Sequence, residues 1–248
     1  MKYPESNISI FDIETAPDLE AVGRLSPPFD RSAVKVSHIR HEERVKAKIE
    51  REEQKYWQVI HRKAALNPAT ARVVAIGVHH PGVNALILDG TEQELLRAFW
   101  REFRLAPTWA FWSGNNGRSA FDPRFLIVRS WVNRVPIPPA AFAARGGPGK
   151  LAPGAWVDLA PLYLIGAESG STCSANRAAR TLGIIGRDLG WATIQDKDDL
   201  EKRGVTGANF HECWEDELRK PLARQYLLND LAIERAIADV LLGREVAA

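Results

Sequence analysis

Residues 7–17 read NISIFDIETAP. Ile8, Ile10, Phe11 and Ile13 give the run the β-branched and aromatic character of a buried strand. Asp12 and Glu14 break into it with one residue between them. Positions two apart on a strand point to the same face, so these carboxylates would stand side by side and repel. A carboxylate taken out of water also needs a partner. Two readings are open: the strand ends before Asp12 and both groups sit in water, or it continues and the pair holds a cation.

Further strand-like segments lie at 71–79, 84–88, 108–112 and 156–159, with 8–12 as the first. They are short, rich in Val, Ile and Trp, and punctuated by Gly or Pro. Thr91 predicts a helix cap for EQELLRAFWREFRL, in which Leu95, Leu96, Phe99 and Phe103 share one face. FDPRFLIVRSWVNRV tolerates Pro123 near its start, SANRAARTLG ends at Gly183, and PLARQYLLNDLAIERAIADVLLG runs from Pro221 to Gly243. This order predicts an α/β domain with a mixed sheet of about five strands. The four-residue HPGV link makes the strands at 71–79 and 84–88 an antiparallel pair.

Residues 37–65 form a charged helix candidate with Glu42, Lys46 and Glu50 at i,i+4, and Lys48 and Glu52 likewise. Val45, Ile49, Tyr56 and Ile60 make a narrow apolar stripe by which it would pack; the alternative is a basic arm touching a polyanion. AARGGPGKLAPG at 143–154 is not a Walker phosphate loop, because Lys150 is followed by Leu151 and position 144 is Ala.

The chain of 248 residues is 45% hydrophobic and 26% charged, as ordinary globular proteins are. No apolar stretch approaches the roughly 18–20 residues that span a bilayer, and the start lacks a signal-peptide core. Cys173 and Cys213 are in no paired-ligand spacing, which argues against a zinc site or a disulfide framework and fits a reducing, cytoplasmic setting. A net charge of +2 neither demands nor opposes a nucleic-acid partner.

Three further positions bear on the pair in the first strand. Asp122 opens a helix after a strand and loop, where Asp is most often a cap. Asp230 lies inside the apolar helical run YLLNDLAIERAI, a poor place for Asp. Tyr226 precedes it by four residues, on the same helical face.

Taken together, FDIET at 11–15, FDPRFLIVR at 121–129 and YLLND at 226–230 resemble the motifs of the DEDDy branch of the DnaQ-like 3′–5′ exonucleases. Within that branch the chain is similar to prokaryotic and phage exonucleases related to the proofreading domain of family B DNA polymerases. ALNPATARVVAIGV at 65–78, VDL at 157–159 and TLGIIGR at 181–187 are secondary matches. Position 225 is Gln, where the sister branch would carry His.

The resemblance implies one ribonuclease H-like exonuclease domain over 1–248, with a helical insertion at about 22–66. It implies two Mg²⁺ or Mn²⁺ ions held by Asp12, Glu14, Asp122 and Asp230. Asp12 would bridge them, Glu14 and Asp230 would complete one position, and Asp122 would support the other through water. Tyr226 would orient the attacking water. Asn116 is carried over as a substrate-binding residue, with Asn115 beside it as the alternative, because the loop GNNGRSAFD is about one residue longer than the family's. The implied substrate is the 3′ end of single-stranded nucleic acid, DNA in preference to RNA, and the products are nucleoside 5′-monophosphates; replication or repair proteins are possible partners. A 3′–5′ exoribonuclease and a catalytically weak nucleic-acid-binding accessory protein are the rival readings.

Overall fold

Strand β1, Ile8–Pro17, does not stop before Asp12 but carries on through Glu14. Its neighbours are β2, Ala71–His79, and β4, Thr108–Phe111; β3, Leu86–Leu88, and β5, Trp156–Asp158, lie outside them, giving the order β3-β2-β1-β4-β5. β2 and β3 are antiparallel, and β1–β4 and β4–β5 are parallel, so the mixed sheet expected from the sequence is present. These are features of a computed structural model that describes residues 8–36, 39, 41–113, 121–143, 151–168 and 170–243. The Gly/Pro loop between 144 and 150, and both Asn115 and Asn116, lie outside the described residues.

Nine helices occur among the described residues: α1 Leu19–Leu25, α2 Glu42–Ala64, α3 Glu92–Phe103, α4 Phe121–Val132, α5 Leu159–Tyr163, α6 Ala175–Thr181, α7 Lys197–Lys202, α8 Phe210–Glu215 and α9 Lys220–Leu241. Packing divides the chain into two units. Described residues up to Glu14 and from Val73 onward form the larger one; Thr15–Arg72 form the smaller.

The alternation of β1 builds the larger unit. Phe11 turns to one face, where its ring meets Phe99 of α3, Phe111, Trp109 and Trp156 at centroid distances of 5.1–6.0 Å. Ile8 and Ile10 turn to the other and join a core with Leu231, Ile233, Ala236 and Ile237 of α9. Asp12 and Glu14 follow Ile8 and Ile10 in the same two-residue register, so the strand aims them along the face that α9 covers. Arg235 of α9, itself buried, donates from Nη1 to the Ile8 carbonyl at 3.0 Å and pairs with Asp239 one turn on, fixing the helix lengthwise against β1. Gly77 lets β2 approach α9 closely: a Cβ there would lie 2.7 Å from Cδ1 of Leu231.

Thr91 caps α3 by a reciprocal capping box with Glu94, and Leu95, Leu96, Phe99 and Phe103 are all buried, as their spacing predicts. A bidentate pair between Arg129 and Glu92, at 2.8 and 2.7 Å, ties α4 to α3.

In the smaller unit Asp18 caps α1. The charged helix predicted over 37–65 is α2, beginning at Glu42. Val45, Ile49, Tyr56 and Ile60 are half-buried, which favours the packing reading of its stripe. Tyr56 Oη donates to the Pro27 carbonyl at 2.6 Å, and its ring lies 5.5 Å from that of Phe29. Of the charges expected to pair along α2, Lys48 instead donates to the Lys35 carbonyl, and Glu52 pairs with Lys55 at i,i+3. No described helix is long and apolar enough to cross a membrane.

Candidate metal centre

Helix α9 sets the far wall of the site. Tyr226, Asp230 and Glu234 recur at every fourth residue, so they stack on one face, and all three are buried. Oxygens of Asp12, Glu14 and Asp230 lie within 4.8 Å of one another, so the strand pair and the helix Asp converge on one point. This resolves the opening question in favour of a continuing strand, with the carboxylates gathered rather than dispersed in water.

Asp122 is not a cap. It lies inside the first turn of α4, only 5% exposed. Burial, then the charges of Asp12 and Asp158, holds its carboxyl well above the usual range. Asp158, at the end of β5, caps α5 through the Ala160 N–H and also accepts from the Ser113 N–H at 3.2 Å. Its carboxyl too is pushed up by burial.

Burial raises all three converging carboxyls, and repulsion adds to it for Asp12 and Glu14. Burial first, and Asp230 second, pushes Asp12 up to about 7. Glu14 is raised well above its ordinary value by burial and then by Asp12. Burial raises Asp230, though Lys197 pulls it back. Both large effects disfavour a bare cluster of ionised carboxylates.

Lys197 supplies positive charge that the sequence reading missed. Its Nζ donates to Asp230 Oδ2 at 2.8 Å and lies 4.2 Å from the centre of the Tyr226 ring. Despite burial, Asp230 above all holds this ammonium well above its usual pKa, so it stays charged. The segment carrying it is pinned to its neighbours. Asn229 of α9 accepts from the Gln195 N–H at 2.7 Å and donates to the Gln195 carbonyl at 3.1 Å. Asn176 of α6 accepts from the Lys197 N–H, and Asp196, which caps α7, receives Arg180.

Tyr226 packs beside Phe210 of α8, with ring centroids 6.1 Å apart. Gly207 borders its hydroxyl: a Cβ there would sit in ordinary contact, 3.7 Å from Oη. Burial and the charge of Asp230 raise the phenol above its ordinary pKa, so it remains protonated at neutral pH.

With this geometry in view, one solved structure is informative. A family B DNA polymerase from the hyperthermophilic archaeon Pyrobaculum calidifontis matches 96% of the chain. The TM-score is 0.58 at 16% identity, and the chain spans about a quarter of the polymerase's length, 25%. That likeness establishes the fold as α/β with a ribonuclease H-like mixed sheet flanked by helices. No protein-family model matches the chain, and no curated protein does.

The donor set fits a hard divalent cation. All converging ligand atoms are carboxylate oxygens, with no thiol or imidazole among them. Mg²⁺ and Mn²⁺ need few protein oxygens because water and substrate phosphate complete their shells. Residues expected from sequence to act together are therefore brought together in Asp12, Glu14 and Asp230, with Asp122 and Tyr226 adjoining. Lys197, Glu234 and Asp158 are the additions.

Proposed function

We propose that this chain is a metal-dependent 3′–5′ exonuclease that removes nucleoside 5′-monophosphates from single-stranded DNA. The observation that carries this reading is the convergence of Asp12, Glu14 and Asp230 from β1 and α9, beside Tyr226. The motif resemblance and the polymerase likeness support a nucleic-acid substrate, and the complete carboxylate set speaks against a merely binding protein.

Asp12, Glu14 and Asp230 would hold one divalent cation, and Asp12 with Asp122 a second. Two such ions bound side by side supply an activated water and charge relief on the scissile phosphate. Tyr226, kept protonated, orients the attacking water by hydrogen bonding and does not act as its base. Lys197 holds Asp230 in a single orientation and places an ammonium at the edge of the cluster, where a phosphate oxygen could be received. Phe210 and its neighbours on α8 wall off the Tyr226 side and limit water there.

The test is a 5′-labelled single-stranded oligonucleotide, as DNA and as RNA in parallel, with Mg²⁺, Mn²⁺ or EDTA. The expected result is a ladder shortening from the 3′ end of DNA, abolished by EDTA, while a circular strand survives. Undiminished activity in EDTA, or nicking of the circle that Asp12→Ala abolishes, would overturn the reading. Faster decay of the RNA would move the substrate to the exoribonuclease alternative.

A further inference from the structure

Glu234 is a fifth carboxylate at the centre that neither the motif spacing nor the three-residue convergence includes. It lies one helical turn beyond Asp230 on the same face of α9 and is 4% exposed. Its Oε2 has no hydrogen-bond partner among the described residues. A buried carboxyl oxygen left this way forfeits hydration without compensation, a cost that native structures tolerate where something else is to be bound.

The surroundings say what that something is. The carboxyls acting on Glu234 are, in order, Asp12, Asp122 and Asp230, with Lys197 the opposing charge. Those acting on Glu14 begin with Asp12 and include Asp230, Asp122 and Lys197. After Asp12, Asp122 precedes Asp230 in its effect on Glu234, whereas Asp230 precedes Asp122 for Glu14. Lys197, the opposing charge, gives its hydrogen bond to Asp230.

We propose that Glu234 is a positioning residue for the second divalent cation, accepting through Oε2 from a water in that ion's shell while Asp12 and Asp122 hold the ion. This rests on the exonuclease reading. Mg²⁺ and Mn²⁺ retain several waters, and their outer hydrogen bonds go to acceptors one layer away from the ligands. A carboxylate outside the converging trio, yet buried one helical turn from Asp230, is such an acceptor.

The test is a Mn²⁺ titration of the full chain, followed by the electron paramagnetic resonance signal of free Mn²⁺. It is run with thymidine 5′-monophosphate present to supply phosphate oxygens. Wild type is expected to bind two ions. Glu234→Gln, isosteric and neutral, should weaken the second by roughly tenfold or more and leave the first unchanged. Its melting temperature in EDTA should be equal to or above that of wild type. Asp230→Asn should instead weaken the first ion. Two ions bound with unchanged affinities by Glu234→Gln would overturn this proposal and leave the exonuclease reading standing; a wild type that binds no Mn²⁺ would overturn both. Should the amide variant not fold, Glu234→Met takes its place in the titration. If both are unfolded in EDTA the proposal falls, because a carboxyl required for folding without the ion is not one kept for it.

Discussion

The ammonium of Lys197 donates to Asp230 Oδ2 at 2.8 Å, the oxygen of a residue whose carboxyl also converges with Asp12 and Glu14. The tethered cation and a divalent one therefore compete for the same carboxylate. Lys197→Met removes the competitor and leaves Asp230 unpaired in a buried place. Two opposite effects should follow. In EDTA the melting temperature should fall, and Mn²⁺ should bind more tightly than to wild type, restoring much of the lost stability. Calorimetric titration and thermal melts check both; equal Mn²⁺ affinity in the two proteins would refute the competition.

Tyr226→Phe keeps the ring that packs beside Phe210 and under Lys197 and removes only the hydroxyl. Turnover on single-stranded DNA should drop on the order of 10²-fold, with the melting temperature nearly unchanged. Asp12→Ala and Asp230→Ala should lower turnover by several further orders of magnitude, because each removes a ligand. Single-turnover rates at saturating Mg²⁺ separate the two classes. A silent Tyr226→Phe beside an inactive Asp230→Ala would remove the water-orienting role and leave the metal site.

The metal-free protein should lose stability as pH rises through the range in which Asp12 titrates. Asp12 is raised from 3.8 to about 7, so between those values the folded chain holds a proton that the unfolded chain has released. Its contribution is complete below about 4 and is lost as pH climbs through about 7. His79 works in the opposite direction: burial lowers it from 6.5 to about 4, so it costs stability as pH falls from 6.5. Comparison with Asp12→Asn isolates the Asp12 part. In EDTA the melting temperature of Asp12→Asn minus that of wild type should grow from pH 4 to pH 8. A constant difference would contradict the raised Asp12.

Gly77→Ala should destabilise the fold without touching the chemistry. The added Cβ would meet Leu231 Cδ1 at 2.7 Å and Leu227 Cγ at 3.2 Å, both on α9. Overpacking of this kind costs about 1–3 kcal/mol. At about 2–4 °C per kcal/mol for a domain of this size, thermal melts should resolve the loss. A melting temperature equal to wild type would mean that α9 yields at this contact.

What was legible in the sequence follows from local periodicity. Two-residue alternation exposed β1, Thr91 as a cap before the apolar face of Leu95, Leu96, Phe99 and Phe103 exposed α3, and the Tyr226-to-Asp230 spacing exposed the face of α9 that meets β1. Lys197 left no such trace. It follows Asp196 in a stretch of short helices, and hydrogen bonds that Asn176 and Asn229, far away in sequence, accept from the Lys197 and Gln195 N–H groups help to bring it to Asp230. Asp122 has the local context of a cap; its burial against Asp12 is a tertiary fact. Glu234 reads as an ordinary helical glutamate until β1 is laid across it, although its place one turn after Asp230 was a usable signal. The helices α5, α7 and α8 are five or six residues long, too short for a period of 3.6 to declare itself.

The bond from Arg235 to the Ile8 carbonyl joins positions 227 residues apart. It is one of the contacts by which α9 closes over β1, and Asp230 arrives with that helix. On the ribosome, Asp12 and Glu14 emerge long before their third partner, so a partly made chain has a strand with two acidic side chains and no centre. Contacts this distant in sequence make folding slow, because a large loop must close before they repay its entropy. Acquisition of the centre is thereby deferred until α9 has been synthesised.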